Sequence, residues 1–258
     1  MKVKILGCSG SETIGRMPPG FLVNDVMMLD AGTITAALTI EAQSKITDVL
    51  ISHTHLDHIK SVLFLADNII GRIEKPVTIH AIPQVIDAIR KHLMNNIIWP
   101  DFTKIGLVKN PAKPVLTYAP MQPGKTVSIA GFKVKAIPMN HPVPAVGFLV
   151  SDGKTSFLYS ADTGPNERLW KEASKAKNLS GIIVDTSFPN SLDGLADASG
   201  HFTPAQLHRD LTKAKVNNSI PIHIYHVKPV YEKKVISELK SLGRKNVKIL
   251  QEGKTYIF

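Results

Sequence analysis

The fold of this chain is decided by the stretch Val49-Leu50-Ile51-Ser52-His53-Thr54-His55-Leu56-Asp57-His58. Its three apolar residues predict a buried strand of the parallel type. His53 and His55 are two residues apart, so on an extended chain their side chains point the same way and can hold one metal ion. A turn at the end of the strand would aim Asp57 and His58 toward a second ion. The density of ligand-type residues indicates a metal site rather than a polar loop.

Composition limits the class of protein. The 258 residues suit one large domain or two small ones, and a hydrophobic content of 43% is ordinary for a globular protein. No run approaches the roughly 20 apolar residues that span a bilayer, and the first residues read as a strand rather than a secretory signal. The one cysteine, Cys8, excludes an intrachain disulfide and fits a reducing compartment. We therefore expect a cytoplasmic protein without a membrane segment.

The net charge of +10 favours an anionic partner. Many basic residues of the C-terminal third are spaced along a predicted helix at 230–242 and its flanks rather than packed in one block. That spacing is typical of a solvated helix face. We expect a small phosphorylated substrate to be the partner, with nucleic acid as the less favoured alternative.

Strands and helices alternate along the chain, which predicts an α/β protein of one domain, residues 1–258, with mixed sheets and outer helices. Strands are predicted at 3–6, 21–29, 49–52, 77–80, 126–129, 132–138, 146–150, 155–159, 182–185, 220–225, 247–251 and 255–258. Helices are predicted at 33–43, 59–67, 83–94, 166–175, 204–214 and 230–242. Thr203 is the predicted N-cap of the fifth helix, with Pro204 in its first turn. The proline-rich segment 96–124 is predicted to be a long loop.

Three further candidate ligands lie at the ends of later strands. His141 follows an apolar strand and precedes Pro142, which biases the histidine toward an extended backbone. Asp162 lies in a Ser-Ala-Asp-Thr-Gly turn that exposes its carboxylate at the end of a strand. His226 closes another apolar strand. Each signal is weak alone, and their strength comes from occurring together.

Joined to the first stretch, these residues make a complete inventory for two metal ions. The predicted first ion is held by His53, His55 and His141, the second by Asp57, His58 and His226, and Asp162 could bridge them through its two oxygens. Imidazole and carboxylate ligands without thiolate fit Zn²⁺, which we favour, with Fe or Mn²⁺ as alternatives. In two-metal hydrolases the ions lie about 3.5–4 Å apart and lower the pKa of a shared water toward about 7. Hydroxide is then available without a separate general base.

This arrangement resembles the metallo-β-lactamase superfamily, whose defining loop is His-x-His-x-Asp-His. The likeness covers essentially the whole chain, from residues 6–10 through Leu29-Asp30-Ala31-Gly32 to His226. The resemblance implies an αββα sandwich, with the site at the edge of two sheets. It is specific for the fold and the metals but not for the substrate.

Finer features resemble the class II cyclic-nucleotide phosphodiesterases within that superfamily. The chain departs from that family's signature at Phe64 and at Ala66-Asp67. Four later segments match in the expected order, namely Asn95–Phe102, Thr186–Asn190, Gly200–Pro204 and His226–Pro229. The resemblance implies a dinuclear metal phosphodiesterase that uses hydroxide to convert 3′,5′-cyclic nucleotides, cyclic AMP or cyclic GMP, to 5′-nucleotides.

Asp57 and His201 are the predicted catalytic residues. His201 lies two residues before the helix start at Thr203, where free N–H groups and the helix dipole favour anions. There it could bind a phosphate oxygen and stabilise the charge that builds up during attack. Asp30 ends an apolar strand and has two interpretations: a turn or helix cap, or an acceptor that orients a metal-bound histidine.

Several alternatives stay open at this point. Trp99 is expected either to stack on a base or to anchor its loop, and the apolar loop 95–102 is a candidate homodimer interface. The basic charge also suits a phosphodiesterase of RNA 3′ ends that resembles the transfer-RNA 3′ nucleases. Other hydrolases of the same fold, such as a β-lactamase or a thioesterase, are further candidates. A nucleotide sensor without catalysis is disfavoured, because a pure binder needs no complete ligand set.

Overall fold

Two seven-stranded sheets form the centre of the computed structural model, which describes residues 1–214, 217 and 219–258. The strands are β1 (Lys2–Gly7), β2 (Gly20–Val23), β3 (Met27–Leu29), β4 (Asp48–Leu50), β5 (Val77–Ala81), β6 (Leu116–Pro120), β7 (Thr126–Ile129), β8 (Phe132–Pro138), β9 (Val146–Ser151), β10 (Ser156–Tyr159), β11 (Leu179–Asp185), β12 (Ile222–Tyr225), β13 (Val247–Ile249) and β14 (Thr255–Ile257). The α-helices are α1 (Ile40–Gln43), α2 (Leu56–Ile59), α3 (Ser61–Ile69), α4 (Pro83–His92), α5 (Glu167–Lys175), α6 (Asp193–Ser199), α7 (Pro204–Lys213) and α8 (Glu232–Ser241).

Both sheets combine antiparallel and parallel pairing. The first has the strand order β14-β1-β2-β3-β4-β5-β6, and the second has the order β13-β12-β11-β10-β9-β8-β7. Strands β3 to β6 pair parallel, as do β10 to β13. Because parallel strands run the same way, their carboxyl ends lie at one edge of each sheet. The side chains that follow β3, β4, β10, β11 and β12 are therefore collected at these edges.

Two apolar layers hold the sandwich together. One fills the space between the sheets, with Phe21, Phe148 and Phe157 fully buried, and it extends to the apolar faces of α3 and α4. The other packs the second sheet against α5, α7 and α8 through residues such as Trp170 and Leu207. The order of layers is helix, sheet, sheet, helix, which confirms the predicted αββα fold. Within the described residues, no helix is long and apolar enough to cross a bilayer.

The structure corrects one predicted strand of the first sheet and one predicted helix. The strand predicted over 21–29 is a hairpin of β2 and β3, because Asn24 and Asp25 turn the chain with φ values of 46° and 63°. The helix predicted over 33–43 is reduced to α1, which begins only after Thr39. The Thr39 side chain accepts a hydrogen bond from the backbone N–H of Ala42 and so fixes this start.

The proline-rich segment 96–124 is also not wholly a loop, and this part of the prediction was wrong. It contains β6, an edge strand that pairs parallel with β5 and ends at Pro120, a position where proline is tolerated. Helix α6 was not predicted either. The predicted start of α7 is confirmed, since Thr203 and Gln206 form a reciprocal capping box with Pro204 in the first turn.

Backbone hydrogen bonds join the two sheets at the edge where the candidate ligands lie. The N–H of Val146 on β9 donates to the carbonyl of Ser52, which follows β4, over 3.1 Å. The N–H of His226 donates to the carbonyl of Cys8, which follows β1, over 2.7 Å. These contacts fix the distance between residues contributed by different sheets.

His223 on β12 makes the fold sensitive to acid. Its ring packs between the sheets against Tyr256 and Phe258, with centroid distances of 4.8 and 5.6 Å, and its buried Nδ1 has no hydrogen-bond partner. Burial and the charge of Lys248 lower the pKa of His223 from 6.5 to about 4. The unfolded state therefore binds a proton more readily, and the stability from neutral His223 is lost as the pH falls from 6.5 toward 4.

We predict that His223→Gln flattens the dependence of stability on pH. Relative to its own value at pH 7.5, the free energy of unfolding at pH 5 should fall by about 1–2 kcal/mol less in this variant than in the parent protein. Urea unfolding at both pH values measures this difference. The exposed His92 on α4 supplies the control variant His92→Gln, which should follow the parent protein. Equal losses in parent and His223→Gln would contradict the prediction.

Candidate metal centre

The carboxyl ends of β4, β8, β10 and β12 bring all the predicted metal ligands into one cluster. Ligand atoms of four residues lie within 4.8 Å of one another, and so do those of three others. The first group is His53, His55, His141 and Asp162, and the second is Asp57, His58 and His226. These groups correspond to the two predicted ligand sets, with Asp162 counted in the first. That the cluster binds two ions stays a prediction.

The backbone is strained where it delivers these side chains. Asp30, Ala161 and His226 are not glycines, yet their φ values are 55°, 52° and 65°. This left-handed conformation costs about 1–3 kcal/mol per residue and persists only where the surrounding structure enforces it. The three residues lie just after β3, β10 and β12, and each turns the chain sharply at the end of its strand. Strained backbone therefore lies at three of the strand ends that build the cluster.

Asp162 lies at the centre of the cluster and is almost fully buried. Its Oδ2 is 3.3 Å from Nε2 of His58, 3.3 Å from Nε2 of His226 and 3.7 Å from Nε2 of His53. The hydroxyl of Tyr225 donates a hydrogen bond of 2.9 Å to Oδ1. A single carboxylate oxygen, Oδ2, thus faces histidines from both ligand groups.

The outer ligands complete each group. In the first, His141 Nε2 is 3.2 Å from His55 Nδ1, and His141 Nδ1 donates to the carbonyl of Gly200 over 3.1 Å. In the second, Asp57 Oδ2 is 3.3 Å from His226 Nε2 and 3.9 Å from His58 Nε2. Asp57 keeps 28% of its side chain exposed, so the second group is open to solvent on this side.

Asp30 accepts hydrogen bonds from several of the groups around the cluster. His58 Nδ1 donates to its Oδ2 over 2.8 Å, and the Tyr159 hydroxyl donates to the same oxygen over 2.6 Å. Both the N–H and the hydroxyl of Ser52 also bond to the Asp30 carboxylate, each over 2.8 Å. Of the two interpretations of Asp30, these contacts support the one in which it orients a ligand histidine. Its effect on a bound ion stays a prediction.

His201 lies beside both ligand groups. Its ring centroid is 5.3 Å from that of His141 and 5.1 Å from that of His226. Its Nδ1 donates to Oδ2 of the buried Asp185 over 2.7 Å, which leaves Nε2 as its remaining polar atom. Burial lowers the pKa of His201, but the Asp185 carboxylate outweighs this effect and raises the pKa above its ordinary value. The Asp185 carboxylate therefore favours the protonated form of this ring.

Burial and mutual charge set the other pKa values. Burial holds the pKa of His53 well below its usual range. Burial acts on His58 in the same direction, but the nearby carboxylates, Asp162 above all, hold its pKa well above its usual range. Burial raises the pKa of Asp162, yet His226 and His58 outweigh it and hold that pKa well below the usual range. The Asp162 carboxylate stabilises a proton on the His58 ring, and a metal cation bound at His58 would take the place of that proton.

The chemistry of the cluster fits divalent metal ions. The Nε2 atoms of His53 and His58 are buried without a hydrogen-bond partner, although the Nδ1 atom of each ring is engaged. An unpartnered buried nitrogen costs about 1–3 kcal/mol. A cation between these nitrogens and Asp162 Oδ2 would remove that cost. Neutral imidazoles around a carboxylate are also the ligand set that Zn²⁺ accepts.

Trp99 anchors its loop to α3. The indole N–H donates to the carbonyl of Leu63 over 3.1 Å, and the ring meets Phe64 edge-on with a centroid distance of 5.2 Å. Stacking on a base stays a prediction. In the same loop, Ile97 and Ile98 are exposed, and the homodimer interface proposed for this segment likewise stays a prediction.

Sequence reasoning missed the residues that support the ligands from behind. They are Ser52, Tyr159, Asp185, Ser187 and Tyr225, which bond to the carboxylates or histidines of the cluster. A signal was present for Ser52, which directly precedes His53 at the end of β4. A signal was also present for Ser187, which lies in the matched segment Thr186–Asn190 after β11. No sequence pattern predicted a role for the two tyrosines at the site, because buried tyrosines in strands usually pack in the core.

Comparison with solved structures defines the class of protein. Unliganded yeast PDE1 has a TM-score of 0.82 and 20% identity, over 100% of this chain and 99% of that chain. The metallo-beta-lactamase fold protein YhfI from Bacillus subtilis has a TM-score of 0.75 and 19% identity, over 99% of each chain. At these identities the likeness shows the fold alone. The protein has the metallo-β-lactamase fold.

The family follows from the sequence match. Residues 30–242, more than half of the chain, match the model of the class-II cAMP phosphodiesterases, and the chain belongs to that family. One similar protein is the probable 3′,5′-cyclic-nucleotide phosphodiesterase of Yersinia pestis, 26% identical over 227 residues. The match covers 77% of this chain and 63% of that relative, so the chain spans less than two thirds of the relative's length.

We predict that Asp162→Asn costs more bound metal than substitution of any single outer ligand, because Oδ2 faces both groups. The parent protein should bind two equivalents of Zn²⁺ after dialysis, and the variant should retain less than one. Elemental analysis measures both. Asp67→Asn, at an exposed position on α3, is the control and should bind metal like the parent. Retention of two equivalents by Asp162→Asn would show that this carboxylate does not bridge.

Proposed function

We propose that this protein is a dinuclear metal phosphodiesterase that hydrolyses 3′,5′-cyclic nucleotides to nucleoside 5′-monophosphates. One observation carries the proposal. In a chain of the class-II phosphodiesterase family, two ligand groups meet at Asp162 Oδ2, and His201 lies beside both of them. Hydrolysis of a phosphodiester is assisted by metal cations and by a hydrogen-bond donor to the phosphoryl group. The site offers ligands for two cations and one such donor.

The two ligand groups would hold one divalent ion each. Zn²⁺ is our first choice, and the imidazole and carboxylate ligands also accept Fe or Mn²⁺. When bound, such ions supply Lewis-acid chemistry: they activate water and neutralise charge on phosphoryl oxygens. The protein contributes the fixed positions of the ligands. Strained strand ends and buried carboxylates hold these positions before any ion or substrate arrives.

Hydrolysis adds the hydroxyl of a water to phosphorus and breaks the bond between phosphorus and the 3′ oxygen, which takes up the proton that the water loses. We assign His201 to stabilise the charge that builds up on the phosphoryl group in this step. Its Nδ1 donates to Asp185, so in the protonated ring the Nε2–H can donate to a phosphoryl oxygen. Donors aimed at the developing charge are typically the largest single contribution to such catalysis. Asp57, the partly exposed ligand, can orient the water from the solvent side.

The charge of the protein supports a small anionic substrate. A net charge of +10 attracts anions from a distance, and this attraction weakens as salt screens it. Family membership favours the cyclic nucleotide over the other phosphodiesters considered, which include RNA 3′ ends. Hydrolysis of a cyclic nucleotide needs no long RNA-binding groove.

A side-by-side substrate panel tests the proposed activity. Cyclic AMP, cyclic GMP, a transfer-RNA 3′ trailer and a nitrocephin-type lactam are assayed with metal-loaded and chelator-treated protein at low and moderate salt. We expect turnover of a cyclic nucleotide above that of the trailer and the lactam, and its loss on chelation. Preferential trailer cleavage that falls steeply with salt would replace this proposal with the RNA activity. Metal binding without turnover of any phosphodiester would contradict both.

We predict that His201→Ala lowers kcat for cyclic AMP by a factor of about 10²–10³ while both metal ions are retained, since it removes one donor to the developing charge. Steady-state kinetics and elemental analysis on the same sample measure the two effects. His92→Ala serves as a histidine control and should behave like the parent protein. If His201→Ala loses metal, or keeps full activity, this role of His201 is wrong.

A further inference from the structure

Each sheet contains the same three-residue hydrogen-bond chain, which runs from a buried aspartate through a serine to a ligand histidine. In the first sheet, Ser52 Oγ is 2.8 Å from Asp30 Oδ2 and 2.9 Å from His53 Nδ1. In the second sheet, Ser187 Oγ is 2.6 Å from Asp185 Oδ1 and 2.9 Å from His226 Nδ1. Both serines are fully buried. We refer to these chains as the first and second relays.

The hydrogens in each relay can be assigned from the contacts alone. A serine hydroxyl has one proton, and a carboxylate can only accept. If Ser52 donated to His53, two oxygens with lone pairs would face each other at 2.8 Å. Ser52 therefore donates to Asp30, and His53 Nδ1–H donates to Ser52. Ser187 has two acceptors in reach, the Asp185 carboxylate at 2.6 Å and the carbonyl of His226 at 2.9 Å. The same reasoning assigns its proton to Asp185, the shorter and charged contact.

This assignment determines which nitrogen of each histidine is available to a metal. With the proton on Nδ1, the lone pair of the neutral ring is on Nε2. Nε2 of His53 is buried without a partner, 3.7 Å from Asp162 Oδ2. Nε2 of His226 is 3.3 Å from the same oxygen. Both relays thus present a lone pair to the central carboxylate, from opposite sheets.

We propose that Ser52 and Ser187 are positioning residues that fix the metal-binding tautomers of His53 and His226, so that each serine controls the affinity of one metal ion. Ser52 bonds to no ligand of the second group. The contact to His58 in that group is made by Asp30 instead. Ser187 bonds to no ligand of the first group among the described residues. Ser187 Oγ also lies 3.3 Å from Nδ1 of His201, which is not among the metal ligands. The aspartates are less selective than the serines for the ligand groups, since Asp30 serves both His53 and His58, and Asp185 serves both His226 and His201. The proposal rests on the dinuclear centre proposed above and names what sets its two affinities.

Ser52→Ala and Ser187→Ala test the proposal, with Ser156→Ala as control. Ser156 is almost as buried (2% exposed), but it begins β10, at the end of the strand away from the cluster, and its hydroxyl donates to the carbonyl of Lys177. Zn²⁺ affinities are measured by competition with a chelator, and the thermal stability of the metal-free proteins is measured in parallel. Loss of such a supporting hydrogen bond typically weakens metal binding by about 10–100-fold. We expect this loss for one ion in each serine variant and no change in Ser156→Ala.

Combination with ligand substitutions identifies which ion is affected. Ser52→Ala combined with His141→Ala should retain one tightly bound ion, because both changes act on the first group. Ser52→Ala combined with Asp57→Ala should retain none, and Ser187→Ala should show the reverse pattern. Spectra of ¹⁵N-labelled histidine in the metal-loaded parent should show the proton of His53 and His226 on Nδ1. Of these two histidines, each serine variant should change only the one it contacts.

Three results would overturn the proposal. One is unchanged affinity for both ions in the serine variants. The second is equal weakening of both ions by either serine. The third is a loss of thermal stability in the metal-free variants without any change in metal affinity, which would make the hydroxyls purely structural. None of these measurements uses substrate, so failure of the phosphodiesterase proposal alone would leave the result interpretable.

Discussion

A carboxylate buried among histidines is the constraint on which the rest of this structure depends. Asp162 is almost fully buried, and its Oδ2 lies 3.3–3.7 Å from three imidazole nitrogens. An isolated buried charge is prohibitively costly, so it must be paired and hydrogen-bonded. Tyr225 bonds its other oxygen, and the histidines supply positive charge or, with a cation, shared ligation. The left-handed turns after β3, β10 and β12 exist where these side chains are delivered.

The sandwich architecture supplies the contacts that hold this buried carboxylate and its histidines together. Ligands come from both sheets, and backbone bonds such as that from His226 to Cys8 join the sheets at the same edge. The apolar layers on either side of the second sheet exclude water from the inner ligands, which strengthens each electrostatic contact. Because the ligands are already gathered in the folded chain, a bound metal also stabilises the fold by mass action. The contacts between the sheets that gather the ligands therefore contribute both to the preorganisation of the site and to the stability of the fold.

Sequence reasoning succeeded where a residue carries its own local signal. His53, His55, Asp57 and His58 follow an apolar strand within a few positions, and the Thr203-Pro204 pair predicts the start of α7. The sequence did not predict features of the structure that depend on contacts between residues far apart in the chain. Asn24 and Asp25 split one predicted strand into a hairpin, and β6 exists because β5 offers it a parallel partner. Tyr225 reads as core, since only the fold brings its hydroxyl to Asp162 from 63 residues away.

The central claim is that one carboxylate oxygen joins two metal ions, each held by ligands from both sheets. Anomalous diffraction from crystals grown with Zn²⁺ tests it most directly. We expect two peaks, one at ligand distance from His53, His55 and His141, the other from Asp57, His58 and His226, with Asp162 Oδ2 shared between them. A single peak, or two peaks of which one is not ligated by Asp162, would contradict it.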